Sequence, residues 1–361
     1  MEMIVSKPNN KLSLLPPELD FSDKKFVAPI LKAHRALAEL KGYSFNMTNP
    51  LLLLSPAILR ESIASSEIEN IHTTIIDALQ NQLLPESERR ESDKEVLHYR
   101  EAVEWGFKQV KKVGISTRLI TGIQHKLLTK EDGYRKQQNA IANFATGEIL
   151  YTPPASNEIS RLISNWEIFV NNEEDIDPLI KTALAHYQFE AIHPFSDGNG
   201  RTGRILMVLE LIDAELLHWP ILYISGYINK NRSEYYRLLR NVTSEEKWDE
   251  FILFMLEGFY VQAKETKDTL IEFFKLFNHI KERLRTNHRK IYSADLVEVL
   301  FAFPIVTPVK LGKEMRIHYT TATRWLTELT EAGILINQKF GKYQFYINKR
   351  LVKLLSGDKN Y

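Results

Sequence analysis

The sequence predicts a mainly α-helical protein that carries a small β-hairpin and ends in a domain of short helices and strands. Apolar residues recur at helical spacing over most of the chain, as in Leu184, Tyr187 and Ala191. Residues 132–154 interrupt this pattern with glycines, prolines and β-favouring residues, which indicates an inserted hairpin. Three short helical patterns and two β-like runs fill residues 291–361, an order typical of a winged helix-turn-helix.

Length and composition exclude several classes of protein. The 361 residues exceed what one hydrophobic core usually organises, so two or three domains are expected. The absence of cysteine excludes disulfides, thiolate nucleophiles and cysteine-based metal sites. The net charge of +1 gives no indication of nucleic-acid binding by the chain as a whole. The N-terminus lacks a signal-like pattern and the apolar runs are too short to span a membrane, which predicts a cytoplasmic protein with no membrane partner.

The elements follow from the periodicity in chain order. Residues 1–20 are mostly polar and are expected to form an arm rather than a folded unit. Helical spacing predicts the next elements, with Gly42 ending the first and Pro56 preceding the second: 24–42, a helix after 56, 94–113, 117–129, 157–171, 178–192, 200–217, 231–241 and 246–280. The last part predicts helices over 292–303, 307–315 and 318–332, then strands over 334–338 and 343–347.

The run from His193 to Arg204 carries the chemistry. Pro194 and the triplet Gly198-Asn199-Gly200 predict a tight loop that leads directly into a helix N-terminus, which is a natural site for an anion. Arg201 and Arg204 stand on the first turn and can bind phosphate oxygens, while Asp197 offers one carboxylate that suits Mg²⁺ shared with phosphates. His193 can accept a proton from an attacking hydroxyl. Each feature alone is more often structural, but packing does not require the combination.

This run matches the signature of the Fic family, H-x-F-x-D/E-G-N-G-R-x-x-R, at every defined position. The resemblance implies a Fic-type helical bundle and a protein adenylyltransferase, which moves AMP from ATP to a Ser, Thr or Tyr hydroxyl of a target protein or of itself. His193 would deprotonate that hydroxyl, Phe195 would anchor the loop and Asp197 would bind Mg²⁺, with Mn²⁺ equally suited. The implied ATP-binding residues are Gly198, Asn199, Gly200, Arg201, Thr202, Gly203 and Arg204, with Arg201 on the β-phosphate and Arg204 on the γ-phosphate.

Two further elements are implied by the same resemblance. The hairpin at about 138–152 would be a flap that docks an extended target segment by strand addition, through Asn139, Ala140, Ile141 and Ala142. Tyr235 and Tyr236 resemble a tyrosine pair that borders the adenine in relatives. An ordinary role as aromatic residues of an amphipathic helix is the alternative.

An inhibitory motif is expected upstream. Ser65, Glu69 and Asn70 match the family pattern S/T-x-x-x-E-G/N, on a helix expected at about 56–71. The resemblance implies that Glu69 pairs with Arg204 and prevents productive seating of the γ-phosphate, with Ser65 supporting Glu69. The inhibition would then be intramolecular.

The sequence leaves three alternatives open for function. They are a nucleotide-sensing regulator that binds DNA, a Fic-fold enzyme that removes AMP, and one that uses another phosphate donor. Candidate DNA contacts in the winged helix are Arg316, His318, Arg324, Lys339 and Lys342. The predicted segments are an N-terminal helical region (1–114), a Fic core (115–265), a linker helix (266–290) and the winged helix-turn-helix (291–361).

Overall fold

A computed structural model describes residues 7–45, 51–129, 133–142 and 146–357, with the side chains of 51–55 excepted. Residues 1–6 of the predicted arm, 132 at the start of the predicted hairpin segment and 143–145 within the hairpin lie outside these ranges. The chain divides into two compact units. Unit 1 comprises 1–41, 98–220 and 224–263, and unit 2 comprises 42–97, 221–223 and 264–361. The predicted four-segment boundaries stay predictions.

The chain is mainly helical. Its helices are α1 Lys24–Phe45, α2 Leu51–Ile68, α3 Ile75–Asn81, α4 Glu91–Val113, α5 Thr117–Leu128, α6 Ile159–Asn172, α7 Pro178–Ile192, α8 Asn199–Asp213, α9 Ile224–Lys230, α10 Arg232–Glu245, α11 Trp248–Asn287, α12 Ala294–Ala302, α13 Pro308–Met315, α14 Tyr319–Glu331 and α15 Lys349–Ser356. Its strands are β1 Ile141–Ala142, β2 Ile149–Tyr151, β3 Ile305–Val306, β4 Ile336–Phe340 and β5 Tyr343–Ile347.

The predicted helices are confirmed, with shifts of a few residues at several ends and four additional elements. α1 continues through Gly42 to Phe45, because Gly42 does not adopt the left-handed conformation that would end a helix. α2 begins at Leu51 and contains Pro56, whereas the prediction placed its start after that proline. α3, α9, β3 and α15 were not predicted from periodicity, since each is short.

The core of unit 1 holds the pair α7 and α8. α7 begins at a cap in which the Asp177 carboxylate accepts a hydrogen bond from Leu179 N–H at 2.9 Å, followed by Pro178 at the first helical position. Residues on almost every face of both helices are buried, so the apolar face predicted for α7 from Leu184, Tyr187 and Ala191 is only part of its buried surface. The indole N–H of Trp166 on α6 donates to Ala185 O at 2.8 Å and fixes α6 against α7. α7, which leads into the loop before α8, is therefore fixed at its start and against α6.

Asp177 also links α7 to α1 through a histidine, which predicts a pH dependence of stability. His34 Nε2 lies 2.8 Å from Asp177 Oδ2, and this hydrogen bond raises the pKa of His34. Because the folded-state pKa is the higher one, the stabilisation is complete below the unfolded-state pKa and is lost as pH rises through the folded-state pKa. The melting temperature should fall by a few degrees at most over that window, and His34→Gln should remove this part of the profile in thermal melts at several pH values.

The N-terminal arm has no helix or strand over 7–23, but it is hydrogen-bonded along unit 1. Asn9 N–H donates to Thr152 O at 3.0 Å, directly after β2. Leu15 is buried, and its N–H and C=O bond the side chain of Asn165 at 2.9 and 3.0 Å. The arm therefore belongs to the packed structure of unit 1, which its polar composition did not indicate.

Unit 2 contains a three-stranded antiparallel sheet in the order β3-β5-β4 together with α12, α13, α14 and α15. α13 begins at the predicted Thr307-Pro308 cap, where the Thr307 side chain accepts from Lys310 N–H. Phe301 on α12 packs edge-on against Phe273 and Phe277 of α11, with ring centroids 5.2 and 5.0 Å apart. In neither unit does a described helix combine the length and apolarity needed to cross a membrane.

Candidate active site

The loop between α7 and α8 begins at His193. This residue caps the C-terminus of α7 with left-handed backbone dihedrals, φ 50° and ψ 58°, and its N–H donates to Phe189 O at 3.0 Å. A non-glycine residue adopts this conformation only where the surrounding structure requires it. The histidine side chain is half-buried, so it stands at the start of the loop within reach of solvent.

Asn199 closes the loop. Its side-chain oxygen accepts from Phe195 N–H at 2.8 Å and its side-chain nitrogen donates to Phe195 O at 2.9 Å. Phe195 itself is fully buried, with its ring 5.6 Å from that of Tyr134, as expected for the anchor of the loop. Asn199 therefore shapes the loop with its side chain, and only its backbone N–H remains to face an anion.

The N-terminus of α8 supplies the anion site. Gly198 precedes the helix with φ 78°, a conformation that favours glycine. The first intrahelical bond joins Thr202 N–H to Gly198 O at 2.9 Å, so the earlier N–H groups of this turn point out of the helix end. Together with the positive end of the helix dipole they form a site suited to phosphate.

Asp197 is the candidate metal ligand in this loop. Its side chain is 69 % exposed, and its Oδ1 accepts from Gly198 N–H at 2.6 Å and lies 3.5 Å from Arg201 Nη2. Oδ2 bonds no residue within the described ranges, so it is available to a cation. Those ranges hold no cluster of three or more metal-ligating side chains. A cation at Asp197 would take its other ligands from phosphates and water, which fits Mg²⁺.

The two arginines of the first turns lie inside the fold. Arg201 is 3 % exposed and Arg204 is 1 % exposed. Buried guanidinium groups need polar or charged surroundings, which makes both arginines candidates for contact with phosphate oxygens. Thr202 is buried, and Gly203 faces α7: an added Cβ would lie 2.7 Å from Glu190 Oε1. Gly203 therefore has a packing position between the helices, and its predicted place at the ATP site stays a prediction.

Gly203→Ala is expected to lower the free energy of unfolding by about 1–3 kcal/mol, since the new methyl group overpacks the α7–α8 contact. Its Cβ would also meet Phe189 at 3.2 Å. Gly42→Ala is the matched control, because it adds a methyl group inside a helix with nothing within 4 Å and should stabilise slightly. Urea unfolding of both variants measures the difference; equal stabilities would contradict the packing role.

Arg135 joins the loop to the hairpin, and the sequence reading missed it. Its Nε donates to His193 O at 2.9 Å, and its backbone N–H donates to Pro194 O at 2.8 Å. Its other nitrogens donate to Gln137 O at 3.3 Å and to Pro154 O, the two ends of the hairpin segment. The side chain is 6 % exposed. One guanidinium thus fixes the carbonyl of the candidate base and both ends of the hairpin.

The hairpin is confirmed as a two-stranded antiparallel sheet of β1 and β2, with Ile141 opposite Tyr151. Asn139 Nδ2 donates to Phe195 O at 3.3 Å, which places the start of the hairpin beside the loop. Tyr151 OH donates to Ala191 O at 2.9 Å at the end of α7. Ala140 and Ala142 are exposed, and Ile141 is half-buried. β1 is thus an edge strand next to the candidate base.

The tyrosine pair on α10 divides between two environments. Tyr235 is 1 % exposed, and its hydroxyl lies 2.8 Å from His186 Nε2. Burial lowers the pKa of His186 to about 3, so this histidine is neutral and acts as a hydrogen-bonding group of the core. Tyr236 is half-buried, with the Arg232 guanidinium 5.9 Å from its ring centroid. Tyr235 therefore has the packing role named as the alternative, and Tyr236 remains the candidate for the adenine.

The residues of the predicted inhibitory motif lie at the end of α2. Ser65 is fully buried in the last helical turn. Glu69 is exposed in the turn that follows, where its N–H donates to Ser66 O at 3.0 Å. Asn70 has φ 61°, which explains why the pattern requires glycine or asparagine at this position. The helix ends at Ile68 rather than at residue 71, so Glu69 projects from a turn.

Comparison with known proteins matches three family models to this chain. Residues 27–108 match the N-terminal region of the Fic/DOC family, 114–211 match the Fic/DOC family itself, and 276–351 match the C-terminal domain of SoFic-like protein adenylyltransferases. With the complete loop motif and its geometry, these matches show that the chain belongs to the Fic/DOC family.

Among relatives, a probable protein adenylyltransferase of Aquifex aeolicus is 29 % identical over 191 residues, which cover 51 % of this chain and 55 % of that protein. Protein adenylyltransferase Fic of Drosophila melanogaster is 32 % identical over 136 residues, 36 % of this chain and 25 % of that protein. The chain thus spans about half the length of the first of these relatives and a quarter of the second.

Solved structures show the same fold. A Fic family protein from Desulfovibrio desulfuricans G20 superposes with a TM-score of 0.54 at 20 % identity, covering 88 % of this chain and 95 % of that one. Fic-1 from C. elegans superposes with a TM-score of 0.51 at 20 % identity, covering 67 % and 73 %. At these identities the likeness concerns the fold alone.

Proposed function

We propose that this chain is a protein adenylyltransferase, which transfers AMP from ATP to a Ser, Thr or Tyr hydroxyl of a target protein or of itself. The observation that carries the proposal is the segment from His193 to Arg204, beside an edge strand. It combines a base, a carboxylate, a helix N-terminus and two arginines in the loop before α8 and the first turns of that helix. Fic-family relatives with this activity support it. The proposal includes a cytoplasmic location.

The reaction follows from the positions of these groups. A target segment adds to β1, and its hydroxyl lies near His193, which accepts the proton as the oxygen attacks the α-phosphate. The bond from the α-phosphate to the bridging oxygen breaks, and pyrophosphate leaves. The N–H groups of α8 and Arg201 stabilise the charge that develops on the phosphates. Mg²⁺, or Mn²⁺, held by Asp197 would neutralise phosphate charge.

Product mass separates this proposal from the enzymatic alternatives. The purified protein, with ATP and Mg²⁺, is incubated with a cell lysate, and modified peptides are analysed by mass spectrometry. An adduct of the mass of AMP on a hydroxyl residue is expected. A different adduct would mean another phosphate donor, and loss of AMP from an AMP-modified protein would mean the reverse reaction; either result would contradict the proposal.

Autoinhibition by Glu69 is part of the proposal. The motif positions Ser65, Glu69 and Asn70 support it, as do the left-handed turn at Asn70 and the burial of Arg204. In the inhibited state the Glu69 carboxylate would pair with Arg204, and this would leave no cation for the γ-phosphate.

Glu69→Gly is accordingly expected to raise AMP transfer by about 5–150-fold, the usual range for a coupling of this kind. The turn retains its shape, because the side chain of Glu69 is exposed and glycine tolerates any backbone conformation. Glu67→Ala is the matched control, since it removes a neighbouring exposed acid outside the motif. Label transfer from ATP measures both, and equal activity of Glu69→Gly and wild type would contradict the inhibition.

For the C-terminal part, the order helix, strand, two helices and hairpin over α12 to β5 supports a winged helix-turn-helix. We do not extend the proposal to DNA. Of the two wing lysines, Lys342 Nζ lies 2.8 Å from Glu88 Oε1, and the hydroxyl of Tyr343 donates to the same carboxylate at 3.0 Å. One of the two wing lysines is therefore paired with an acidic side chain of its own unit, and no observation favours the regulator that binds DNA.

A further inference from the structure

The segment that leaves the hairpin after β2 has its backbone held by side chains. It runs over residues 152–155 and contains Pro153 and Pro154, which have no N–H groups to donate to a neighbouring strand. Gln138 Nε2 donates to Pro153 O at 2.9 Å, and Arg135 Nη2 donates to Pro154 O. Both donors precede β1 in the chain. The first carbonyl and the last N–H of the segment therefore need partners from elsewhere.

The N-terminal arm supplies those partners. Asn9 N–H donates to Thr152 O at 3.0 Å, and Asn10 Oδ1 accepts from Ala155 N–H at 2.8 Å. Asn9 Nδ2 also donates to the hydroxyl of Tyr151, the last residue of β2, at 3.4 Å. Two adjacent residues of the arm thus bond the segment at both of its ends.

The arm is itself anchored to the helices beside the candidate active site. Gln188 on α7 is buried, and its Nε2 donates to Ser13 O at 2.8 Å. The buried Leu15 exchanges two hydrogen bonds with the side chain of Asn165 on α6. The arm therefore links α6 and α7 to the hairpin, and all of these contacts lie within unit 1.

The hairpin depends on such support because it is very short. β1 has two residues and β2 has three, and an isolated two-stranded hairpin is marginally stable at best. Since β1 is paired with β2, a displacement of β2 also moves the edge that would receive a target strand. The candidate base has separate support, because His193 N–H donates to Phe189 O within α7. Loss of the arm contacts should therefore affect the hairpin more than the base.

We propose that Asn9 and Asn10 are positioning residues for the docking of the target protein. Through them the arm holds the segment after β2, and so keeps β1 in the place where a target strand adds. This inference rests on the proposed transferase. Neither residue belongs to the loop from His193 to Arg204, so their loss should weaken target binding and leave ATP binding and the chemical step unchanged.

Hydrogen–deuterium exchange of the full chain tests the contact without ATP or a target. Asn9→Ala/Asn10→Ala removes both side-chain bonds, and the amides of residues 146–155 should then exchange about tenfold faster, the effect of one or two neutral hydrogen bonds. Asn10→Asp keeps the acceptor for Ala155 N–H and should exchange as the wild type does. Lys11→Ala is the matched control, since it changes an exposed neighbour in the arm. Asn10 is exposed and Asn9 half-buried, so these substitutions leave the core intact.

The docking role is tested by label transfer from ATP in the Glu69→Gly background, with a dilution series of cell lysate as the source of target. Weaker docking raises KM, so the double variant should label about tenfold less protein at high dilution, and the deficit should shrink as the lysate becomes more concentrated. An equilibrium titration should show unchanged affinity for ATP. Lys11→Ala should match its parent in both measurements.

Two results would overturn the positioning role. One is equal exchange of the hairpin amides in the double variant and in Lys11→Ala. The other is a transfer deficit that is the same at every lysate concentration, because this would place the effect in the chemical step. Absence of label from the Glu69→Gly parent would instead refute the transferase, and the docking role with it, whatever the exchange measurement shows. The two failures are therefore distinguishable.

Discussion

Replacing His193 with alanine is expected to lower AMP transfer by about 10²–10⁴-fold, the usual contribution of a positioned general base. His193 stands at the end of α7. Its backbone is in the left-handed conformation, and the backbone N–H donates a hydrogen bond to Phe189 O. Alanine can occupy the same turn but offers no group that accepts a proton. ATP affinity should not change, since the proposed phosphate contacts come from α8 and its arginines.

The measurement is label transfer in the Glu69→Gly background, where activity is expected to be highest, together with an equilibrium titration of ATP. Loss of transfer with ATP binding retained identifies a residue of the chemical step. Equal loss of both would mean that His193 shapes the nucleotide site. Retained transfer would contradict the assignment of the base.

Replacing Arg135 with alanine is expected to lower transfer by about 10²-fold, because a displacement of the loop by about 1 Å has an effect of this size. The Arg135 side chain holds the carbonyl of His193 and both ends of the hairpin, so its removal frees the base and the strand that receives the target. It also leaves the buried carbonyl of Pro154 and the half-buried carbonyl of His193 without this donor, which should lower the free energy of unfolding by about 1.5–3 kcal/mol.

Arg118→Ala is the control for this variant, since Arg118 is an exposed arginine on α5 of the same unit. Arg135→Lys keeps the charge but not the planar group that reaches several carbonyls, so it should recover little of the activity. Both are assayed below their melting temperatures. Transfer by Arg135→Ala equal to that of Arg118→Ala would show that the loop holds its geometry without this residue.

The sequence predicted the parts of the fold and of the site that depend on local order. The loop between two helices, the cap at Thr307 and the hairpin all follow from residues that are close along the chain, and the structure confirms each of them. Asn199 is a different case: its place in the motif suggested contact with phosphate, whereas its side chain bonds the backbone of Phe195. A motif gives positions, but it does not give the direction of a side chain.

Arg135 could not be predicted because its contacts with the loop cross 58 residues of sequence. A single arginine after Gly133 and Tyr134 resembles any polar residue at the start of a hairpin, and no local pattern distinguishes it. The docking of the arm was missed for the same reason, since Leu15 is one apolar residue in a polar segment and its partner Asn165 lies on α6. The full burial of Tyr235 and the half-burial of Tyr236 likewise depend on how α10 packs.

The most direct test of the transferase is to incubate the wild type, Glu69→Gly and the double variant Glu69→Gly/His193→Ala with a cell lysate, Mg²⁺ and ATP labelled on the α-phosphate. Weak labelling of protein by the wild type, strong labelling by Glu69→Gly and none by the double variant are expected. Absence of protein-bound label in all three, or label that persists without His193, would contradict the proposed transferase.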